Sequence, residues 1–109
     1  MTALRDRKCA AYAPGTPALD AGRARQLIGE LDRGWRIADD GKSLRRAFVF
    51  EDFYRTMAFV NAVAWIAHAE DHHPDLEVGY NYCRMVFATH SIGGLSDNDF
   101  ICAAKIDAL

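Results

Sequence analysis

Three stretches of the chain repeat apolar residues every three or four positions, the spacing of a helix that buries one face. The first follows Asp20, a predicted N-cap, and ends before Gly34, a predicted C-terminal cap. The second follows Asp52, and its apolar stripe is so broad that we predict a heavily buried helix. The third follows a capping-box sequence at residues 96–99 and runs to about residue 108.

Between the helices, four short runs have strand character: residues 35–37, 44–50, 76–80 and 83–89. The Asp40-Gly41 pair predicts a hairpin turn between the first two, and Gly79 predicts a turn between the last two. Alternation along the strands predicts one apolar side that faces the helices, with Arg46 as a misfit near its edge. The other residues of that side are Leu44, Phe48, Phe50, Cys83, Met85 and Phe87.

The order of these elements is α-β-β-α-β-β-α, and hairpins join the strands within each pair. We therefore expect an α+β fold, with a four-stranded antiparallel sheet and helices packed on one face. Residues 1–18, which include Pro14, Gly15 and Pro17, are interpreted as a flexible N-terminal tail, and residues 19–109 as a single domain. The uncovered face and free edges of such a sheet favour self-association.

The composition argues against several classes of protein. The 109 residues suit one domain with a modest core, and half of them are hydrophobic. A formal net charge of -2 gives no electrostatic case for binding nucleic acid or an anionic membrane. No apolar run approaches the roughly 20 residues of a spanning helix, and no signal peptide is recognisable, so we expect a cytoplasmic protein. Three widely spaced cysteines indicate reduced thiols.

All four histidines lie near one another in the predicted fold. His68, His72 and His73 stand at the end of the second helix among acidic residues, and His90 follows the last strand. Histidine has the unperturbed pKa nearest neutral pH, so this composition indicates proton transfer. Pro74 pushes the residue before it out of the helical region, which predicts a loop there. One straight strand at about 3.3 Å per residue would carry His90 roughly 55 Å from His73, so the predicted hairpin is needed to form a shared site. The alternative interpretation is a solvated, polar helix end.

Several motifs together resemble the pterin-4a-carbinolamine dehydratase family. They are Gly34-Trp35, Phe48-x-Phe50-x-Asp52-Phe53, Asp71-His72-His73-Pro74-Asp75, Tyr80-Asn81, Thr89-His90 and Gly94-Leu95-Ser96-x-x-Asp99, in the family's order from about residue 19 to the C-terminus. The specific signal among these motifs is His72-His73-Pro74 followed by Thr89-His90 at the family's spacing. The resemblance implies the same α+β fold. It also implies dehydration of 4a-hydroxytetrahydropterin to quinonoid dihydropterin, which recycles the cofactor of aromatic amino acid hydroxylases.

The resemblance also implies which residues form the site. His72, His73 and His90 would be catalytic, with His72 and His90 acting at the 4a-hydroxyl group and His73 holding or deprotonating the ring. The residues expected to bind the substrate are Asp71, Ala88, Thr89, Ser91 and Asp99. Members of the family use no metal and no organic cofactor, and they are homodimers or homotetramers. Animal members also act as dimerisation cofactors of a homeodomain transcription factor.

The chain departs from the family pattern at three positions. His68 stands where many relatives have glutamate, Leu76 where animal members have tryptophan, and Tyr82 where a basic residue is common. Glu70 either substitutes for the missing carboxylate or is merely solvated. Because none of these positions belongs to the set of three catalytic histidines, the departures bear on substrate preference more than on activity.

Two other functions stay open on sequence grounds. His68 and His72 are four residues apart on a predicted helix, as zinc ligands often are, and His90 and an acid could complete a metal site. However, the H-E-x-x-H pattern of metalloproteases would require glutamate where Ala69 stands. The second alternative is a non-catalytic dimerisation or interaction module that uses the open face of the sheet.

Overall fold

Four strands form one antiparallel sheet in the computed structural model, which describes residues 2–109. They are β1 (Arg36–Ile37), β2 (Leu44–Val49), β3 (Asp75–Val78) and β4 (Tyr82–Phe87), in the spatial order β1-β2-β4-β3. Three helices alternate with the strand pairs: α1 (Ala21–Ile28), α2 (Phe53–Glu70) and α3 (Asp97–Asp107). The predicted α+β fold and its order of elements are confirmed.

The predicted caps begin the helices, but one helix ends early. Asp20 accepts a hydrogen bond from the backbone N–H of Arg23, and both halves of the capping box at the start of α3 are formed. The predicted C-terminal cap at Gly34 is wrong, because α1 ends at Ile28 and Gly29 caps it. Glycine is a poor helix former, and three residues later the backbone N–H of Asp32 is bound by a carboxylate of α3 at 2.8 Å. The chain therefore turns away from the helix axis five residues before the predicted cap.

The sheet turns the predicted face towards the helices. Leu44, Met85 and Phe87 are each at most 1% exposed, whereas no strand residue on the opposite face is fully buried. Burial of a large apolar side chain stabilises the fold by about 1.5–3 kcal/mol, so these positions fix the register of the sheet. Arg46 shares this face as predicted, and its guanidinium meets the carboxylate of Asp107 at 2.8 Å. The ion pair explains how a charge is accommodated at the edge of an apolar face.

Helix α2 is less buried than its sequence predicts. Only Thr56, Val63 and Ala67 are fully buried, whereas Tyr54 is 82% and Trp65 is 68% exposed. Apolar residues occur on all sides of the helix, but only one side of it contacts the sheet and α3. The opposite side forms a mostly apolar surface that we call the outer stripe of α2, made of Tyr54, Ala58, Asn61, Trp65 and Ala69. No helix in residues 2–109 is long and apolar enough to cross a membrane.

The N-terminal residues pack on the domain, where the sequence predicted a flexible tail over residues 1–18. Leu4 is 4% exposed and belongs to the hydrophobic core, and the Arg7 guanidinium pairs with the Asp97 carboxylate at 2.9 Å. An apolar contact, an ion pair and several hydrogen bonds hold this segment to the domain, and nothing in its composition indicates those contacts. We call residues 4–12 the N-terminal strap.

Candidate active site

The site begins where α2 ends. Asp71 adopts a left-handed conformation with φ of 51°, and its N–H bonds to the carbonyl of His68. The N–H of His72 bonds to the carbonyl of Ala67 at 3.1 Å, which completes a Schellman motif. Sequence periodicity placed His72 in the last helical turn, and this placement is wrong. The left-handed residue swings His72 off the helix and towards α3.

A buried hydrogen-bond network holds His72. Its Nε2 lies 2.7 Å from Oδ1 of Asp99, a side chain with no exposed surface. The other oxygen of Asp99 accepts from the hydroxyl of Thr89 at 2.8 Å and from the backbone N–H of Ser96 at 2.9 Å. Because Thr89 donates to the carboxylate, the hydroxyl of Ser96 is the donor in the 2.6 Å contact between Ser96 and Thr89. Every buried polar side-chain atom of the cluster therefore has a hydrogen-bond partner.

This network decides which nitrogen of neutral His72 carries the proton. A carboxylate only accepts, so Nε2 is the donor to Asp99 and Nδ1 keeps its lone pair. The imidazole also stacks on the ring of Phe87, with 5.8 Å between the ring centres and 6° between the planes. The ring is thus fixed in tautomer and orientation, with Nδ1 left as the acceptor.

His90 is held by a closed loop at the end of β4. Thr89 pairs with Gly94 in an isolated bridge, with 2.8 Å from the Thr89 nitrogen to the Gly94 oxygen. His90–Ile92 form one 3-10 turn between them, and Gly93 closes the turn with φ of 65°, a conformation that favours glycine. The loop presents His90 at the surface while its neighbour Thr89 is buried in the network around Asp99.

One pocket of about 470 Å³ collects the residues predicted for the site, a volume typical of small-molecule sites. The predicted residues that line it are Asp71, His72, His73, Ala88, Thr89, His90 and Ser91. Asp99 does not line the pocket but supports it from behind through His72 and Thr89. The hairpin of β3 and β4 therefore brings the two histidine segments together, as the geometric argument required.

Two residues that the sequence offered as candidates, His68 and Glu70, do not line the pocket. His68 is exposed on α2, outside the pocket, with its ring 5.8 Å from that of Trp65. Because His72 leaves the helix, the two histidines do not share the helix face that a metal site would need. Among residues 2–109, no group of three or more His, Cys, Asp or Glu side chains is placed to hold a metal ion.

Glu70 neither lines the pocket nor is solvated. Its side chain is 5% exposed, and Oε1 accepts the backbone N–H of Cys9 in the N-terminal strap at 2.9 Å. Burial by itself would raise the pKa of Glu70, but the hydrogen bond from Cys9 and the charges of Lys105 and Lys8 outweigh it and lower that pKa. Glu70 is therefore ionised at neutral pH and anchors the strap.

The pocket also contains residues that the sequence did not predict. Part of its wall comes from the strap, at Ala10, Ala11 and Tyr12, and Asn98 lies beside them at the start of α3. The motif at residues 96–99 was interpreted as a helix cap that also contributes Asp99 to the site, without a role for Asn98, and the strap was interpreted as a tail. No periodicity or spacing could have indicated that a segment 60 residues from His72 would reach it.

Comparison with known proteins identifies the family. The profile described as Pterin 4 alpha carbinolamine dehydratase matches residues 17–109, so the chain belongs to this family. A Nitrosomonas europaea protein named "Putative pterin-4-alpha-carbinolamine dehydratase" is 54% identical over 106 residues, which cover 97% of this chain and 92% of that protein. A Legionella pneumophila (strain Corby) protein of the same name is 58% identical over 92 residues, which cover 84% of this chain and 81% of that protein.

Two solved structures share the fold. The transcriptional coactivator/pterin dehydratase from Brucella melitensis superposes with a TM-score of 0.79 at 32% identity, over 84% of this chain and 96% of that chain. A pterin dehydratase-like protein, described as a RuBisCO assembly factor in the alpha-carboxysome, superposes with a TM-score of 0.61 at 25% identity, over 70% and 88% of the two chains. The family match begins at residue 17, after the N-terminal strap.

Proposed function

We propose that this protein dehydrates 4a-hydroxytetrahydropterin to quinonoid dihydropterin by histidine acid–base catalysis. The observation that carries the proposal is the pocket in which His72, His73 and His90 meet, in a chain of the carbinolamine dehydratase family. Three imidazoles around a small cavity supply both a proton donor and a proton acceptor near neutral pH.

The reaction needs one proton delivered and one removed. The C4a–O bond breaks as an acid protonates the departing hydroxyl group, which leaves as water. A base removes the proton from N5, and the N5 electron pair forms the new double bond to C4a. We assign the hydroxyl group to His72 and His90 and the ring to His73. Positioned proton transfer of this kind typically contributes about 10² to 10⁴ in rate.

Asp99 suits His72 to this role. The carboxylate fixes the tautomer of His72, so its Nδ1 can pick up a proton and pass it to the departing hydroxyl group. Asp71, Ala88, Thr89 and Ser91 line the same pocket and are proposed to bind the pterin. No step requires a metal or an organic cofactor. In a cell with an aromatic amino acid hydroxylase, the reaction would recycle that enzyme's pterin.

The decisive experiment follows the loss of water from freshly generated 4a-hydroxytetrahydropterin by ultraviolet absorbance, in the presence of a chelator. We expect the wild type to accelerate the reaction and both His73→Ala and His90→Ala to lose most of that acceleration. His68→Ala is the matched control, because this histidine lies outside the pocket and the variant should keep full activity. A folded wild type that leaves the rate unchanged would rule the proposal out.

A second candidate is an interaction module. The exposed outer stripe of α2 supports this candidate. A protein with a related fold is described as a RuBisCO assembly factor, which is a role in assembly and not in catalysis. We propose that the stripe joins copies of this chain into a homodimer or homotetramer, because Tyr54 and Trp65 are exposed large side chains and the small Ala58 and Ala69 beside them allow two helices to approach closely. Trp65→Glu should then lower the mass measured by light scattering, whereas the exposed Glu51→Gln should not.

A further inference from the structure

The N-terminal strap is fastened to the domain at points that flank the site. Besides the contacts of Leu4 and Arg7, Cys9 donates its backbone N–H to Glu70 at 2.9 Å. Ala10 is clamped in both directions by Asn98: its N–H donates to Oδ1 at 2.9 Å, and its carbonyl accepts from Nδ2 at 2.7 Å. Asn98 is only 5% exposed, so the side chain that forms this clamp is held rigidly by its surroundings. The backbone of the strap is therefore fixed immediately before it reaches the pocket.

Tyr12 lies two residues beyond the clamp and lines the same pocket as the three histidines. Apart from those histidines, it is the one aromatic side chain among the described residues of the pocket wall. Leu76, at the position where animal members of the family have tryptophan, is not part of that wall. The aromatic surface of the pocket thus comes from a segment that precedes the family match at residues 17–109.

We propose that the N-terminal strap is a wall of the active site and that Tyr12 is a substrate-binding residue whose ring packs against the planar pterin. This inference rests on the proposed dehydratase function and extends it to a segment outside the family match. Aromatic rings prefer offset or edge contacts with flat ring systems, and a half-buried tyrosine supplies such a surface at a small entropy cost. The strap also excludes water from one side of the bound substrate.

The electrostatic surroundings keep the tyrosine neutral. Burial raises the pKa of Tyr12, and the carboxylate of Asp97 adds to that rise, while Arg7 opposes it. The phenol therefore remains protonated throughout the pH range in which histidines exchange protons. Tyr12 accordingly binds the ring and takes no part in the proton transfer, which predicts an effect on KM rather than on kcat.

The test compares steady-state dehydration by the full-length wild type and by Tyr12→Ala, Tyr12→Phe and Glu70→Ala. Tyr12→Ala should raise KM by about 3- to 10-fold and leave kcat within about 2-fold, which is the signature of lost uniform binding. Tyr12→Phe keeps the ring and should stay within about 2-fold of wild type in both constants. Glu70→Ala, outside the pocket, should raise KM because it releases the strap at Cys9.

A double variant tests whether Glu70 affects KM through Tyr12. Glu70→Ala should add little to KM in the Tyr12→Ala background, because the group that it positions is already gone. Tyr80→Ala, which removes a tyrosine that is 64% exposed and outside the pocket, should leave KM unchanged. Circular dichroism checks folding, and Tyr12→Leu replaces Tyr12→Ala if the alanine variant is not folded.

The outcomes separate the two proposals. An active wild type whose KM is unchanged in Tyr12→Ala overturns the role of Tyr12 and leaves the dehydratase function standing. The role of Tyr12 is also overturned if Glu70→Ala raises KM equally in both backgrounds, or if Tyr80→Ala matches Tyr12→Ala. A folded wild type with no activity overturns the dehydratase function and the inference together.

Discussion

The pocket has two unlike sides. On one side His72 is buried, stacked on Phe87 and bound to a carboxylate that is itself completely buried. On the other side His73 and His90 are exposed, in a loop before β3 and in a 3-10 turn. The first side is part of the hydrogen-bonded interior, and the second reaches the solvent from short loops.

The two sides differ in what they contribute: the buried side fixes the position of a histidine, and the exposed side presents histidines to the substrate. A buried imidazole with a fixed tautomer presents one nitrogen in one direction, at the cost of tying activity to the integrity of the core. Exposed side chains on loops can reach a bound substrate, and their replacement disturbs little else. Substitutions on the buried side should therefore affect stability and activity together, whereas substitutions on the exposed side should affect activity alone.

The largest effect is expected from Asp99→Asn. The amide cannot accept from His72, Thr89 and Ser96 in the same geometry, so neutral His72 loses its fixed tautomer. We expect kcat/KM to fall by about 10² to 10⁴ and the free energy of unfolding to fall by about 1–3 kcal/mol. Rate assays and urea unfolding measure the two quantities. Asp107→Asn, which weakens the clamp on Arg46 far from the pocket, is the control and should lose stability only.

The next effect compares the adjacent histidines. His72→Gln should lower both activity and the free energy of unfolding, because it leaves the buried carboxylate of Asp99 with a poorer partner. His73→Gln should lower activity while the free energy of unfolding changes by no more than about 0.5 kcal/mol, as is usual for exposed sites. Equal destabilisation by the two changes, measured in urea, would contradict the distinction between the two sides.

A smaller effect is expected from Phe87→Leu. The leucine keeps most of the apolar volume but removes the ring on which His72 stacks. We expect a loss of about 1–2 kcal/mol in stability and a several-fold loss in kcat, with KM little changed. Met85→Leu, at another fully buried position of β4, tests whether any repacking of this strand has the same effect. Identical kcat values for the two variants would show that the stacking contact is not special.

The smallest effect concerns pH and the strap. The pKa of Glu70 is lowered in the folded protein, so its contribution to stability is present above the ordinary value of 4.5 and is lost as the pH falls below it. Wild type should therefore be more stable than Glu70→Gln at pH 7, and the difference should shrink below pH 4.5. Thermal unfolding at several pH values measures this, with limited proteolysis of the strap as a second readout. A constant difference across that range would refute the anchoring role.

Local sequence patterns determined the secondary structure well, and their failures share a cause. Asp20, Asp52 and the Ser96 capping box start the helices as predicted, since a cap depends on side chains within three residues of the helix start. The ends of α1 and α2 were wrong, because a carboxylate of α3 draws the chain away at Asp32, and a left-handed residue ends the second helix before His72. The first end depends on a tertiary contact and the second on a backbone conformation, and neither leaves a signal in the apolar periodicity.

The candidate site also has a part that the sequence predicted and a part that it did not. The resemblance selected seven residues that the structure gathers into one pocket, although their roles stay predictions until the variants are assayed. Tyr12 and the strap could not be predicted, because the strap binds through isolated contacts at Leu4, Arg7 and Ala10 that have no local period. The burial of Glu70 was equally hidden, since its partner Cys9 lies 61 residues away in the chain.

The sequence by itself determined the α+β order, the inner face of the sheet and the histidine segments, because each depends on neighbours a few positions apart. The tertiary structure alone decided how the histidines differ, which carboxylate fixes His72 and what closes the pocket. The physical reason is that burial and hydrogen-bond partners depend on contacts between distant segments. Asp99 follows His72 by 27 residues in the chain, yet its Oδ1 lies 2.7 Å from Nε2 of His72.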